Sequence, residues 1–91
     1  MRSNTFTIQN KVGLHARPAA LFVQTAAKFS AKIMAKNVTR GTPFVDAKSI
    51  LSVLGLGVSQ GHELEVTAQG EDEQPALEAI AHLIASDFSE T

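Results

Sequence analysis

An α+β fold, a four-stranded antiparallel sheet with three helices on one face, is what three observations on this sequence predict. Strand-like and helical segments alternate in the order β-α-β-β-α-β-α along the chain. Each strand is apolar on one side only, which suits a sheet with a single covered face. With 91 residues, 44% of them hydrophobic and 19% charged, the chain reads as a single domain, 1–91, with one small core.

The elements follow in order. "NTFTIQ" (4–9) places Phe6 and Ile8 on one side at period two, the pattern of a half-buried strand. "RPAALFVQTAAKF" (17–29) sets Ala19, Phe22, Val23, Ala26 and Phe29 at helical spacing. Pro18 falls in its first turn, where a missing N–H costs nothing. "AKIMAKN" (31–37) returns to alternation, with Ala31, Ile33 and Ala35 facing one way. "VTRGTP" (38–43) is turn chemistry, and a short strand follows near Phe44–Ala47. "KSILSVLG" (48–55) reads as a short helix, with Ser49 as N-cap and Gly55 or Gly57 as the left-handed stop. "HELEVTAQ" (62–69) buries Leu64, Val66 and Ala68 and is the clearest strand. "DEQPALEAIAHLIASDF" (72–88) carries Leu77, Ile80, Ala81, Ile84 and Phe88 at helical spacing, with Asp72 as expected N-cap and acids in the first turn.

Composition excludes several classes. The chain has no cysteine, so disulfide frameworks and thiolate chemistry are out, and a reducing cytosol is the expected setting. The start alternates polar with apolar residues and does not read as a signal peptide. No apolar run approaches the ~20 residues of a membrane-crossing helix. Charge is uneven along the chain: all eight Lys and Arg lie within residues 1–48 with one acid, Asp46, and the other eight acids lie beyond. Either the basic half forms a positive face that steers acidic partners, or the halves interleave and the charges mix. Nucleic-acid binding is disfavoured, because no aromatic residues interleave with the basic ones and no basic run occurs.

"VGLHARPAAL" (12–21) carries the chemistry. His15 precedes a helix start, where backbone N–H groups lack intrahelical partners and aligned peptide dipoles add partial positive charge. Such a position binds anions readily. Arg17 adds a planar donor fork suited to phosphate oxygens. A nucleophilic ring nitrogen beside an anion-binding helix end and a guanidinium can accept a phosphoryl group, hold it and release it. The bland alternative is a modest cap or a surface histidine. His15, His62 and His82 have no metal-ligand spacing, and His62 and His82 read as solvated.

"GLHARPAA" before a helix, "KSIL" opening a short helix and "ELEVTAQGEDEQPALEAI" together resemble HPr, the histidine-containing phosphocarrier family of the bacterial sugar phosphotransferase system. The resemblance runs over essentially the whole chain. It implies an open-faced β-sandwich, phosphorylation of His15 on Nδ1 by phosphoenolpyruvate-dependent enzyme I, and transfer to the IIA components of sugar permeases. It further implies that Arg17 pairs with the phosphate, that the N–H groups of Ala16 and Arg17 cradle it, and that Pro18 sets the first helical turn. His15 is then a carrier nucleophile whose partners supply most of the catalysis, with no cofactor and no metal. Ser49 maps onto the family's regulatory serine, the target of an ATP-dependent serine kinase/phosphorylase; it also reads simply as an N-cap.

Helical geometry sketches a docking surface. If Ile50 and Val53 face the core, Leu51 and Leu54 point outward beside exposed Ala20 and Leu21, ringed by Arg17, Gln24, Lys28 and Lys48. The segment from Asn37 to Phe44 is longer than in the HPr proteins the chain resembles, and a longer turn without effect on transfer is expected. "ARPAALFVQ" and "AQGEDEQ" are also similar to a regulatory HPr paralogue of bacilli that lacks the histidine. The expected function is therefore a cytoplasmic, monomeric phosphocarrier. The alternatives are a serine-phosphorylated module serving a catabolite-control transcription factor, or the carrier of a nitrogen-related phosphotransfer chain.

Overall fold

The computed structural model describes residues 1–89. Its elements are β1 (Arg2–Thr7), α1 (Ala16–Ala27), β2 (Lys32–Asn37), β3 (Val45–Asp46), α2 (Ile50–Gly55), β4 (Glu63–Gln69) and α3 (Glu73–Ala85). The strands form one antiparallel sheet in the order β1-β4-β2-β3. In register, Phe6 faces Leu64 and Ala35 faces Val66, so the apolar residues of neighbouring strands share a side. In β2 and β4 burial alternates strictly, with Ile33, Ala35, Leu64, Val66 and Ala68 enclosed. Polar neighbours such as Lys36 and Glu65, 3.7 Å apart, lie on the other face.

The helices close the covered side with Phe22, Val53 and Ile80, all fully buried. Leu14, Leu56 and Val58, from the connecting loops, complete the interior. Burying each such side chain contributes roughly 1.5–3 kcal/mol. Arg2 and the N-terminal ammonium both pair with Glu73, at 3.7 and 3.4 Å. These pairs join the basic and acidic halves of the chain, so along the sheet the charges mix. Residues 8–45, which include the His15 loop and α1, contain no acid.

Boundaries differ from expectation where side chains outvote pattern. The third helix stops at Ala85 and not at Phe88: Asp87 and Phe88 turn left-handed (φ 55° and 62°), and Phe88 N–H bonds Leu83 O at 2.8 Å. Phe88 still reaches the core by that reversal. Asp72 stands at the N-cap of α3, but its side chain makes no cap bond. Its carboxylate instead accepts the Ser30 and Ala31 N–H groups, each at 2.8 Å, and fastens the α1–β2 turn. The Ser30 N–H chiefly, against the opposing effect of burial and with help from Ala31, holds the Asp72 carboxyl below its ordinary range. Glu73 is lowered likewise, first by the Gly70 N–H and then by the N-terminal ammonium, burial again opposing. Of the two glycines considered as the stop of α2, Gly57 takes the left-handed conformation, φ 61°.

Among the described residues no helix is long and apolar enough to cross a membrane.

Candidate functional site

The loop before α1 is held rigidly from below. Gly13 adopts φ 61° and lies so close to the 58–59 segment that a Cβ would stand 2.2 Å from Val58 O. Leu14 N–H donates to the same Val58 O at 3.0 Å, and the Leu14 side chain is fully buried. Asn10 closes the turn, its Nδ2 donating to Gly13 O at 2.8 Å. With Leu14 anchored inward, the next residue must face outward, and His15 is exposed.

His15 is the N-cap residue of α1, with extended backbone (φ −125°, ψ 157°), yet its side chain makes no cap hydrogen bond. A capping role therefore does not account for the imidazole. Ala16 follows at φ 51°, a conformation that costs a non-glycine residue about 1–2 kcal/mol. The chain is thus strained at the point where the loop enters the helix, a location that strain favours when a site is built there. The first turn contains no acid. Arg17 is exposed and already engaged in a polar interaction. Pro18 is half-buried behind them. Helix end, imidazole and guanidinium thus fall within one short segment, an arrangement that attracts an oxyanion and offers it a nucleophile.

Ser49 is the N-cap of α2, and its hydroxyl accepts the Ser52 N–H at a long 3.4 Å. Around these two positions the surface expected for docking is partly redrawn. Leu51 is 79% exposed and Leu54 38%, on the outside as expected. Two residues trade places. Leu21 is buried, 7% exposed, because α1 packs between α2 and α3 and encloses more of its circumference than the apolar stripe implied. Ile50 is 40% exposed and does not face the core. The core beneath this six-residue helix is filled by Val53 and Leu56 instead. The apolar surface is therefore Ile50, Leu51 and Leu54, with half-buried Ala20 beside it, and Gln24 and Lys28 exposed on α1. Lys48 is half-buried, its ammonium donating to Phe29 O at 2.7 Å, so it ties the end of α1 to the start of α2.

His82 is exposed, as read from the sequence, but His62 is not a solvated side chain. Its Nδ1 lies 3.1 Å from both Asn37 Nδ2 and Ser59 N. One signal pointed there: Asn37 shares the parity of Ile33 and Ala35, and a polar residue on a buried register needs partners.

The family profile described as "PTS HPr component phosphorylation site" matches residues 2–86. The chain belongs to the HPr family. It is 45% identical over 86 residues to the phosphocarrier protein HPr of Treponema pallidum, covering 94% of both chains. A multiphosphoryl transfer protein of Haemophilus influenzae is 46% identical over 86 residues, 94% of this chain but 17% of that protein. The chain thus spans a minor part of some relatives and nearly all of others. The HPr-like protein Crh of Bacillus subtilis is 47% identical over 74 residues, 81% of this chain and 84% of Crh. Among solved structures, HPr-C-His from Thermoanaerobacter tengcongensis matches with a TM-score of 0.92 at 49% identity, over 100% of this chain and 99% of that one. An HPr dimer from the same organism matches at 0.76 and 50%, over 99% and 100%.

Proposed function

We propose that this chain carries a phosphoryl group on His15 between enzyme I and the IIA components of sugar permeases. One observation carries the reading: the imidazole stands exposed at the N-cap of α1 while making no cap bond. In the transfer, His15 Nδ1 attacks the phosphorus, a P–N bond forms, and the bond joining the phosphoryl group to enzyme I breaks. The ring keeps its proton on Nε2. The N–H groups of Ala16 and Arg17, with the Arg17 guanidinium, receive the phosphate oxygens, and Pro18 presets the turn. Passage to a IIA component reverses these bonds. Partners dock on Ile50, Leu51, Leu54 and Ala20 with the Arg17, Gln24 and Lys28 rim. One small patch beside one reactive ring suits a monomer meeting its partners in turn in the cytoplasm.

Similarity to Crh supports a second activity, phosphorylation of Ser49 by a serine kinase in the service of a catabolite-control transcription factor. A phosphate there would stand beside the enzyme I docking surface and repel it. The test is a two-donor assay. With phosphoenolpyruvate and enzyme I, the adduct should be acid-labile and passed on to a IIA protein; with ATP and the serine kinase, it should be acid-stable and lost in Ser49→Ala. No adduct from the first donor would reject the carrier.

A further inference from the structure

The 37–42 loop and the 56–62 turn meet in a hydrogen-bonded cluster that carrier chemistry does not use. Asn37, the last residue of β2, is fully buried. Its Nδ2 donates to Leu56 O at 3.1 Å and approaches His62 Nδ1 at 3.1 Å, while its Oδ1 accepts the Arg40 N–H at 3.2 Å. These partners fix the amide: turned over, its oxygen would face the Leu56 carbonyl and its NH2 the Arg40 N–H. His62 Nδ1 also accepts the Ser59 N–H at 3.1 Å. Two donors converge on one ring nitrogen, which must therefore present its lone pair, leaving the proton on Nε2.

The cluster adjoins both halves of the site. Ser59 follows Val58, whose carbonyl holds the Leu14 N–H, and a Cβ on Gly13 would stand 2.8 Å from Ser59 Cα. Leu56, which also accepts from Arg40 Nη1 at 3.4 Å, is the C-cap of α2. The structure assigns His62, as the neutral Nε2–H tautomer, a positioning role in phosphoryl transfer: with Asn37 it fixes the 56–59 segment that supports the His15 loop and the docking helix. This rests on the carrier reading. Protonating the ring would set an N–H against the Ser59 and Asn37 donors and release both, so positioning weakens as the ring charges. Charged groups on the strands and loops around it are Arg40 in the 37–42 loop, Lys32 and Lys36 on β2, Glu63 and Glu65 on β4 and Lys11 after β1; the ring's own bonds among the described residues are to Asn37 and Ser59.

The test is imidazole 15N NMR of the full chain, which reads both the tautomer and the protonation of the ring, with amide-exchange protection of Leu14 and Ser59 followed as pH is lowered until the 15N shifts report the charged ring. His62→Asn places an acceptor oxygen where Nδ1 stands, and His62→Leu does not. The expected results are a proton on Nε2 and a roughly tenfold fall in both protections as the wild-type ring charges. The same loss should hold at every pH in His62→Leu, with protection kept throughout in His62→Asn. The KM of enzyme I for the chain should rise wherever protection is lost. A proton on Nδ1, or equal pH dependence in wild type and His62→Asn, overturns the assignment even if His62→Leu does not fold. Expected tautomer and protection in a wild type that takes up no phosphoryl group would instead reject the carrier reading.

Discussion

Replacing Gly13 with alanine strikes the His15 loop where it has least room. Gly13 sits at φ 61°, and a Cβ there would lie 2.2 Å from Val58 O and 2.9 Å from Val58 C. Gly41 shares the conformation, φ 69°, but a Cβ there meets nothing within 4 Å. The pair separates two costs. Left-handed backbone costs alanine about 1–2 kcal/mol at either position. At Gly13 the collision is with backbone, which must move and release the Leu14 N–H. Overpacking adds roughly 1–3 kcal/mol and the lost bond about 1 kcal/mol. Gly13→Ala should therefore cost about 4 kcal/mol and Gly41→Ala about 1 kcal/mol. At about 4–8 °C per kcal/mol in a domain of this size, the melting temperatures should separate by more than about 10 °C. Circular dichroism under urea and heat reads both values, and transfer to His15 should fall only in the Gly13 variant. Equal destabilisation by the two would refute the steric argument.

Ser49→Ala removes a long cap bond and should cost about 0.5–1 kcal/mol by urea unfolding, while abolishing any acid-stable phosphorylation. Leu51→Asp should leave stability within about 0.5 kcal/mol, because the side chain is 79% exposed, and yet weaken enzyme I binding in titration calorimetry. Asp72 has a folded-state pKa below its unfolded value, so its contribution is fully present above about pH 5 and lost as pH falls through the folded value. Urea unfolding of Asp72→Asn should accordingly show a flatter acid limb than wild type.

Much of the architecture was legible because it rests on short-range pattern. The alternation in "HELEVTAQ" fixes which side of β4 is buried without reference to any neighbour. The candidate site was legible for a similar reason, since His15, Arg17 and Pro18 fall within one turn of chain. What depended on distant partners was not. Leu21 lies outside the apolar stripe of α1 and is buried only because α2 and α3 flank that helix. Ile50 stands three residues before buried Val53, a helical spacing that pointed to the core, yet as the first residue of a six-residue helix it is 40% exposed. Asp72 looked like a cap and is a tether, because Ser30 and Ala31, 42 and 41 residues upstream, bring their N–H groups to it. His62 looked idle because one of the two residues that engage its ring, Asn37, comes from the neighbouring strand β2.

The measurement that bears most directly on the carrier role is location of the phosphoryl group after incubation with phosphoenolpyruvate and catalytic enzyme I. Phosphorus NMR with mapping under alkaline conditions should place a single phosphoramidate on the His15 imidazole, absent in His15→Ala. A chain that remains unmodified, or one phosphorylated on His62 or His82 instead, would contradict the account.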